Sequence, residues 1–166
     1  MSLFPVTVQL RLILLALPLL FISATYAGEK ADKASYPGTV TVTTPHSFAV
    51  LVQRLEQAIS DHDMGLVARA SASGGAAKRG VTIPGNEVLM VFRNDYAVRM
   101  LAASIPAGIE APLRLYVTEN DDGTAGVTYR LPSAVFAPYG NAELDAMAEE
   151  LDPIIKGIVT DAAKRQ

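Results

Sequence analysis

Residues 12–22, LILLALPLLFI, form an apolar run preceded by one cation, Arg11, and followed by Ser23-Ala24-Thr25-Tyr26-Ala27. A charged start, a short apolar stretch and small residues before a cut are the features of a secretory signal peptide. Residues 1–27 are read as that signal, with cleavage before Gly28 and Thr25 and Ala27 at the −3 and −1 positions. The run is well short of the ~20 residues that span a bilayer, and Pro18 interrupts it. An uncleaved membrane anchor is the alternative. No membrane span is expected once the signal is gone. Residues 28–38, GEKADKASYPG, are small and polar and read as a linker.

From residue 39 the pattern changes. TVTVT over 39–43 alternates and predicts a strand. Thr44-Pro45 reads as an N-cap with Pro at the first helical position. Phe48, Leu51, Val52, Leu55, Ala58 and Ile59 then recur at helical spacing, on a helix ending near His62-Asp63-Met64. Residues 65–71 suit a second strand. Residues 72–85, rich in Gly and Pro, read as a loop with a short helix through Ala76-Ala77-Lys78. The near-continuous apolar run 87–93 predicts a buried strand. Asn94 caps a short helix that packs through Tyr96, Met100 and Leu101. Residues 113–119 and 125–131 alternate on either side of Asn120-Asp121-Asp122-Gly123, a hairpin signal. Pro132 ends the second arm. Asn141 starts a C-terminal helix over 141–164, with Leu144, Met147, Leu151, Ile154, Ile155 and Ile158 on one side. Asp152-Pro153 is expected to kink or restart it.

A hairpin cannot be parallel, so the order predicts an α+β fold. Its sheet is mainly antiparallel and covered by helices, in a single domain over 39–166. Half of the residues are hydrophobic and 19% charged, which excludes a disordered chain. The formal charge is -3, one unit more negative once Arg11 leaves with the signal. A nucleic-acid partner is not expected of a weakly acidic chain. The absence of Cys removes disulfides, thiolate metal sites, Cys nucleophiles and covalent c-type haem.

In this order and spacing the motifs resemble the bacterial family known as domain of unknown function 302, over residues 36–140. The resemblance runs through the capped helix Thr44 to Ile59, the strand Met64 to Ala70 and the hairpin entry Ala111-Pro112-Leu113-Arg114-Leu115. It continues through the acidic turn Glu119-Asn120-Asp121-Asp122-Gly123 and the exit Tyr129-Arg130-Leu131-Pro132. It implies a compact α+β fold and a homodimer, and it supplies no activity. Where members often carry Ile-Asp-His after the second strand, this chain has Ala70-Ser71-Ala72-Ser73. Where they often show Gly-Asn-Pro after the third, it has Arg93-Asn94-Asp95.

Four arginines, Arg69, Arg93, Arg114 and Arg130, fall in or at the ends of predicted strands. Alternation sets Arg114, Tyr116 and Thr118 on one face of their strand, opposite Leu113, Leu115 and Val117. On the partner strand, Gly126, Thr128 and Arg130 oppose Val127, Tyr129 and Leu131. Guanidinium forks on one sheet face can grip a carboxylate or phosphate, and Arg69, Arg93, Arg114, Tyr116 and Arg130 are the candidate ligand residues. The plain alternative is a solvated face, or a dimer interface that Arg114→Glu would disrupt.

His46 and His62 are about 24 Å apart along one helix at ~1.5 Å per residue and cannot share a metal within the chain. Met64, Met90, Met100 and Met147 read as core fillers. The acidic turn lacks the carboxylate spacing of a calcium loop, and Gly74 to Gly80 lacks a phosphate loop's Gly-Lys-Ser/Thr ending. No catalytic residue, metal ligand or cofactor is assigned. The expected function is an exported, most simply periplasmic, non-catalytic binding module and homodimer, with a small anionic ligand or a protein partner. An enzyme acting on an anionic molecule, with Tyr116 or Tyr129 as proton donor, and a haem or metal module are the alternatives.

Overall fold

A computed structural model describes residues 36–165; the signal 1–27 and most of the linker lie outside the described residues. Five strands form one antiparallel sheet in the order β1-β5-β4-β3-β2, where β1 is Thr39–Thr43, β2 Gly65–Ala70, β3 Asn86–Phe92, β4 Leu113–Glu119 and β5 Ala125–Arg130. The first two strands lie at opposite edges, joined by helix α1, Phe48–Asp61, which crosses the sheet between them.

The remaining helices are α2, Ala72–Ala77; α3, Asn94–Ala103; α4, Pro132–Phe136; and α5, Ala142–Ala163, with 3-10 helices at Ile105–Glu110 and Ala137–Tyr139. The predicted stripe of α1 is the buried one: Leu51, Val52, Leu55, Ala58 and Ile59. It meets Leu144, Met147, Leu151, Ile155 and Ile158 of α5 and the inner sheet positions Leu89, Val91, Leu115, Val117 and Val127 in one core. The helices α1, α3, α4 and α5 pack together on that side. Among the described residues no helix covers the other face of the sheet, and its Thr, Arg and Tyr residues alternate with the buried set.

Several local expectations are corrected. The first helix starts at Phe48 behind Ser47, not at Thr44-Pro45. The backbone of 44–46 is instead drawn into the sheet: Thr44 N donates to Ala125 O and Ala125 N donates to His46 O. Residues 72–77 are helical, capped by Ser71, whose hydroxyl accepts from Gly74 N at 3.0 Å. The third helix begins at Asn94 behind Arg93, whose side chain makes no capping bond, and Leu101 on it is half exposed and lies over Gly108 rather than in the core. The last helix runs unbroken through Pro153. The carbonyl that loses its bond there belongs to Glu149, an exposed residue open to solvent. Asp152 just before it accepts from Ser133 N at 2.9 Å and Ser133 Oγ at 2.7 Å, tying α4 to α5.

Candidate functional site

The hairpin that carries the site forms as its turn chemistry requires. Gly123 sits at φ 79, and Asn120 N donates to Thr124 O at 2.8 Å. The register that follows pairs Leu115 with Tyr129 and Tyr116 with Thr128. One step further along the same register, Arg114 stands beside Arg130, flanked by Met90 on β3 and Thr39 on β1. Neighbouring strands lie about 5 Å apart, so the two guanidiniums share one local field. The next row on the uncovered face is Thr41, Thr128, Tyr116 and Val88. Thr41 and Thr128 are linked hydroxyl to hydroxyl at 2.8 Å.

One carboxylate lies close to this pair. Glu110, at the end of the 3-10 helix Ile105–Glu110, lies 3.7 Å from Arg114 Nη2. Its other oxygen accepts from Tyr139 Oη at 3.2 Å. Burial, then the contact with Glu110, pushes the Tyr139 phenol upward, so it keeps its proton at neutral pH. Glu110, Leu113, Arg114, Arg130 and Val135 line a hollow whose closed volume is about 30 Å³. Arg130 is exposed and makes no ion pair among the described residues. Two cations thus face one carboxylate, and the local balance is positive. The chemistry available is charge-assisted hydrogen bonding to an anionic group at the rim of the sheet.

The other two arginines belong elsewhere. Arg69 pairs with Leu89, an inward position, and so projects to the helix-covered side. There it forms ion pairs with Glu87 of β3 and Glu56 of α1. The cause is a bulge: the register slips between Leu66 and Ala68, leaving Val67 unpaired and exposed. Strict alternation sets Arg69 opposite Leu66, and one extra residue returns it to the same side. Glu87 is itself buried, and the Glu87 hydrogen bond is the main cause that raises the Arg69 pKa.

Arg93 is held by Asp95 through two hydrogen bonds, 2.8 and 3.1 Å, with its guanidinium 4.3 Å from the Tyr96 ring. It borders a second, apolar hollow lined by Met64, Met100, Met147, Phe136 and Leu151. Its cavity volume is about 30 Å³, equal to that of the rim hollow, so the lining separates the two, apolar here and charged at the rim. A porphyrin does not fit this cavity. Met90 is not among its lining residues.

Both histidines serve the end of α5: His46 Nε2 bonds Lys164 O at 3.0 Å, and His62 Nε2 bonds Asp161 Oδ2 at 2.8 Å. No group of three metal-ligating side chains occurs among the described residues.

Of the five candidates, the structure therefore brings Arg114, Arg130 and Tyr116 to one face and removes Arg69 and Arg93 from it. Glu110 and Tyr139 escape the sequence reading because both come from 3-10 segments, which carry no hydrophobic period.

No curated protein matches the chain. Among solved structures it is similar to the crystal structure of an uncharacterized conserved protein DUF302 from Bacillus stearothermophilus. The TM-score is 0.69 and the identity 18%, over 78% of this chain and 100% of the other, a likeness of fold. The family described as "Domain of unknown function DUF302" matches residues 40–162, which takes in α5 beyond the 36–140 of the sequence-based resemblance. The matched span holds the whole sheet from Val40 onward and the Arg114–Arg130 rim, and the chain belongs to the DUF302 family.

Proposed function

We propose that this protein is an exported, homodimeric binding module that holds a small ligand by its anionic group at the uncovered sheet face, between Arg114 and Arg130. The observation that carries the reading is the side-by-side placement of these two arginines, with Glu110 beside Arg114 as the carboxylate paired there among the described residues. Neither is bound into the packing, whereas Arg69 and Arg93 are satisfied by Glu56, Glu87 and Asp95. Export rests on the apolar run 12–22 and the small residues before Gly28, and the periplasm is the simplest destination.

Calorimetric titration of the mature chain with inorganic phosphate and with succinate tests the site. Saturable binding to either is expected, weakened at least ~10-fold in the Arg114→Ala/Arg130→Ala variant at an unchanged melting temperature. Binding that survives the double substitution, or no binding to either anion, rejects the site.

An enzyme acting on an anionic molecule is the second reading. One contact favours it: Tyr139 Oη donates a hydrogen bond to Glu110 next to Arg114. It predicts that Tyr139→Phe abolishes turnover of a bound anion without weakening its binding.

A further inference from the structure

We propose that the apolar surface formed by α3 and the 3-10 helix Ile105–Glu110 is the contact through which two copies of this chain meet. This rests on the dimeric part of the reading above and gives the dimer its interface. Val98 is 60% exposed, Leu101 45%, Ile105 79% and Ile109 78%. Single exposed aliphatics are ordinary, but four within twelve positions on two packed elements make a patch. Leu101 joins the two elements. Its Cδ2 lies so close over Gly108 that a Cβ added there would sit 3.1 Å away. Ala102 and Pro106 are exposed between the larger side chains and extend the same surface.

Charge decides what covers it. No charged residue occurs between Arg99 and Glu110. Arg99 is held by both oxygens of Glu150 at 2.7 Å, and Arg93 is held by Asp95. The patch is neutral and its bordering cations are already paired within the chain. A two-fold axis through it therefore lays apolar surface on apolar surface without opposing like charges. The uncovered sheet face is the poorer interface, because a two-fold axis there sets Arg114 and Arg130 against their own copies. An anionic lipid surface gains nothing from a patch without free cations on an acidic chain. At these exposures the six residues present on the order of 500 Å², more than half of the ~800 Å² that each partner contributes to a stable dimer.

Native mass spectrometry and sedimentation equilibrium on three mature chains test the proposal: the unaltered sequence, Ile105→Glu/Ile109→Glu, and Arg114→Glu/Arg130→Glu. The expected result is a dimer for the first and third, and a monomer for the second with self-association at least ~100-fold weaker. Far-UV circular dichroism spectra should match throughout, showing each chain folded, and the isoleucine variant should melt lower and without the concentration dependence of the dimer. A dimer that persists in the isoleucine variant overturns this interface and leaves the dimeric reading standing. An unaltered chain that stays monomeric at tens of micromolar overturns both. A monomer that co-floats with phosphatidylcholine vesicles through Ile105 and Ile109 also overturns the proposal and assigns the patch to a lipid surface.

Discussion

The two faces of the sheet are made by the same strands and answer to different physics. On the covered face Leu89, Leu115, Val117 and Val127 are almost wholly removed from water, and the one arginine found there, Arg69, is consumed by Glu87 and Glu56. On the uncovered face the alternate residues of the same strands, Arg114, Tyr116, Thr128 and Arg130, form few contacts beyond their own row. A charge on the first face is part of the fold, whereas a charge on the second is free to act. The position of an arginine relative to the helices, not its place in a strand, separates the cation spent on packing from those left at the surface.

Substitution across one strand is the sharpest way to break this contrast. Leu115→Ala should cost about 2–5 kcal/mol in urea unfolding, the range for emptying a close-packed site. Its neighbour Tyr116→Ala should stay within about 1 kcal/mol. Equal losses would mean that the second face is covered by something substantial. Next in size is Arg69→Ala, which strands the buried Glu87 carboxylate and should cost about 1–3 kcal/mol. Adding Glu87→Gln should return part of that loss. If it returns nothing, the pair is not what holds β2 and β3 to α1. Asp152→Ala removes the acceptor at the start of α4 and should cost about 1 kcal/mol, measured by the same unfolding series.

The smallest effect is expected from the exposed carboxylates on the helical side. Lys164, then His62, lowers the Asp161 pKa, and Arg99 lowers that of Glu150. A lowered folded-state value means that the folded protein binds fewer protons than the unfolded chain. The stabilisation is full above the unfolded carboxylate range, near pH 4, and is lost as pH falls through the folded value. Asp161→Asn should therefore lower the neutral plateau slightly and flatten the acid limb by the same small amount, leaving stability at the lowest pH nearly unchanged. An acid limb identical to that of the unaltered chain would show that the tie between α1 and α5 carries no weight.

The sheet was legible in the sequence wherever a period of two or a turn residue declared it: TVTVT, the hairpin about Gly123, and the parity that sets Arg114 and Tyr116 against Leu115 and Val117. The stripe of α1 and the Asn141 start of α5 were equally plain. What was hidden depended on exceptions to period. A single unpaired residue, Val67, reversed the direction of Arg69. The site's carboxylate and phenol arrived on short 3-10 turns. Leu101 fits the stripe of α3, yet it points away from the core because the 3-10 helix that follows folds against α3 there. Pro153, a breaker by rule, was absorbed at an exposed turn of a helix anchored on both sides.

The end of α5 has a consequence for how the molecule is made. Its last carbonyls, on Asp161, Ala162 and Lys164, are held by Arg54, and Lys164 O is also bonded by His46. Among the described residues the first strand, likewise, finds its only neighbour in the fifth. During vectorial synthesis the first strand must wait for partners more than eighty positions downstream, and His46 and Arg54 for carbonyls more than a hundred. Closure is thus a late, single event, and a nascent chain stalled before residue 160 should remain open to proteases and chaperones.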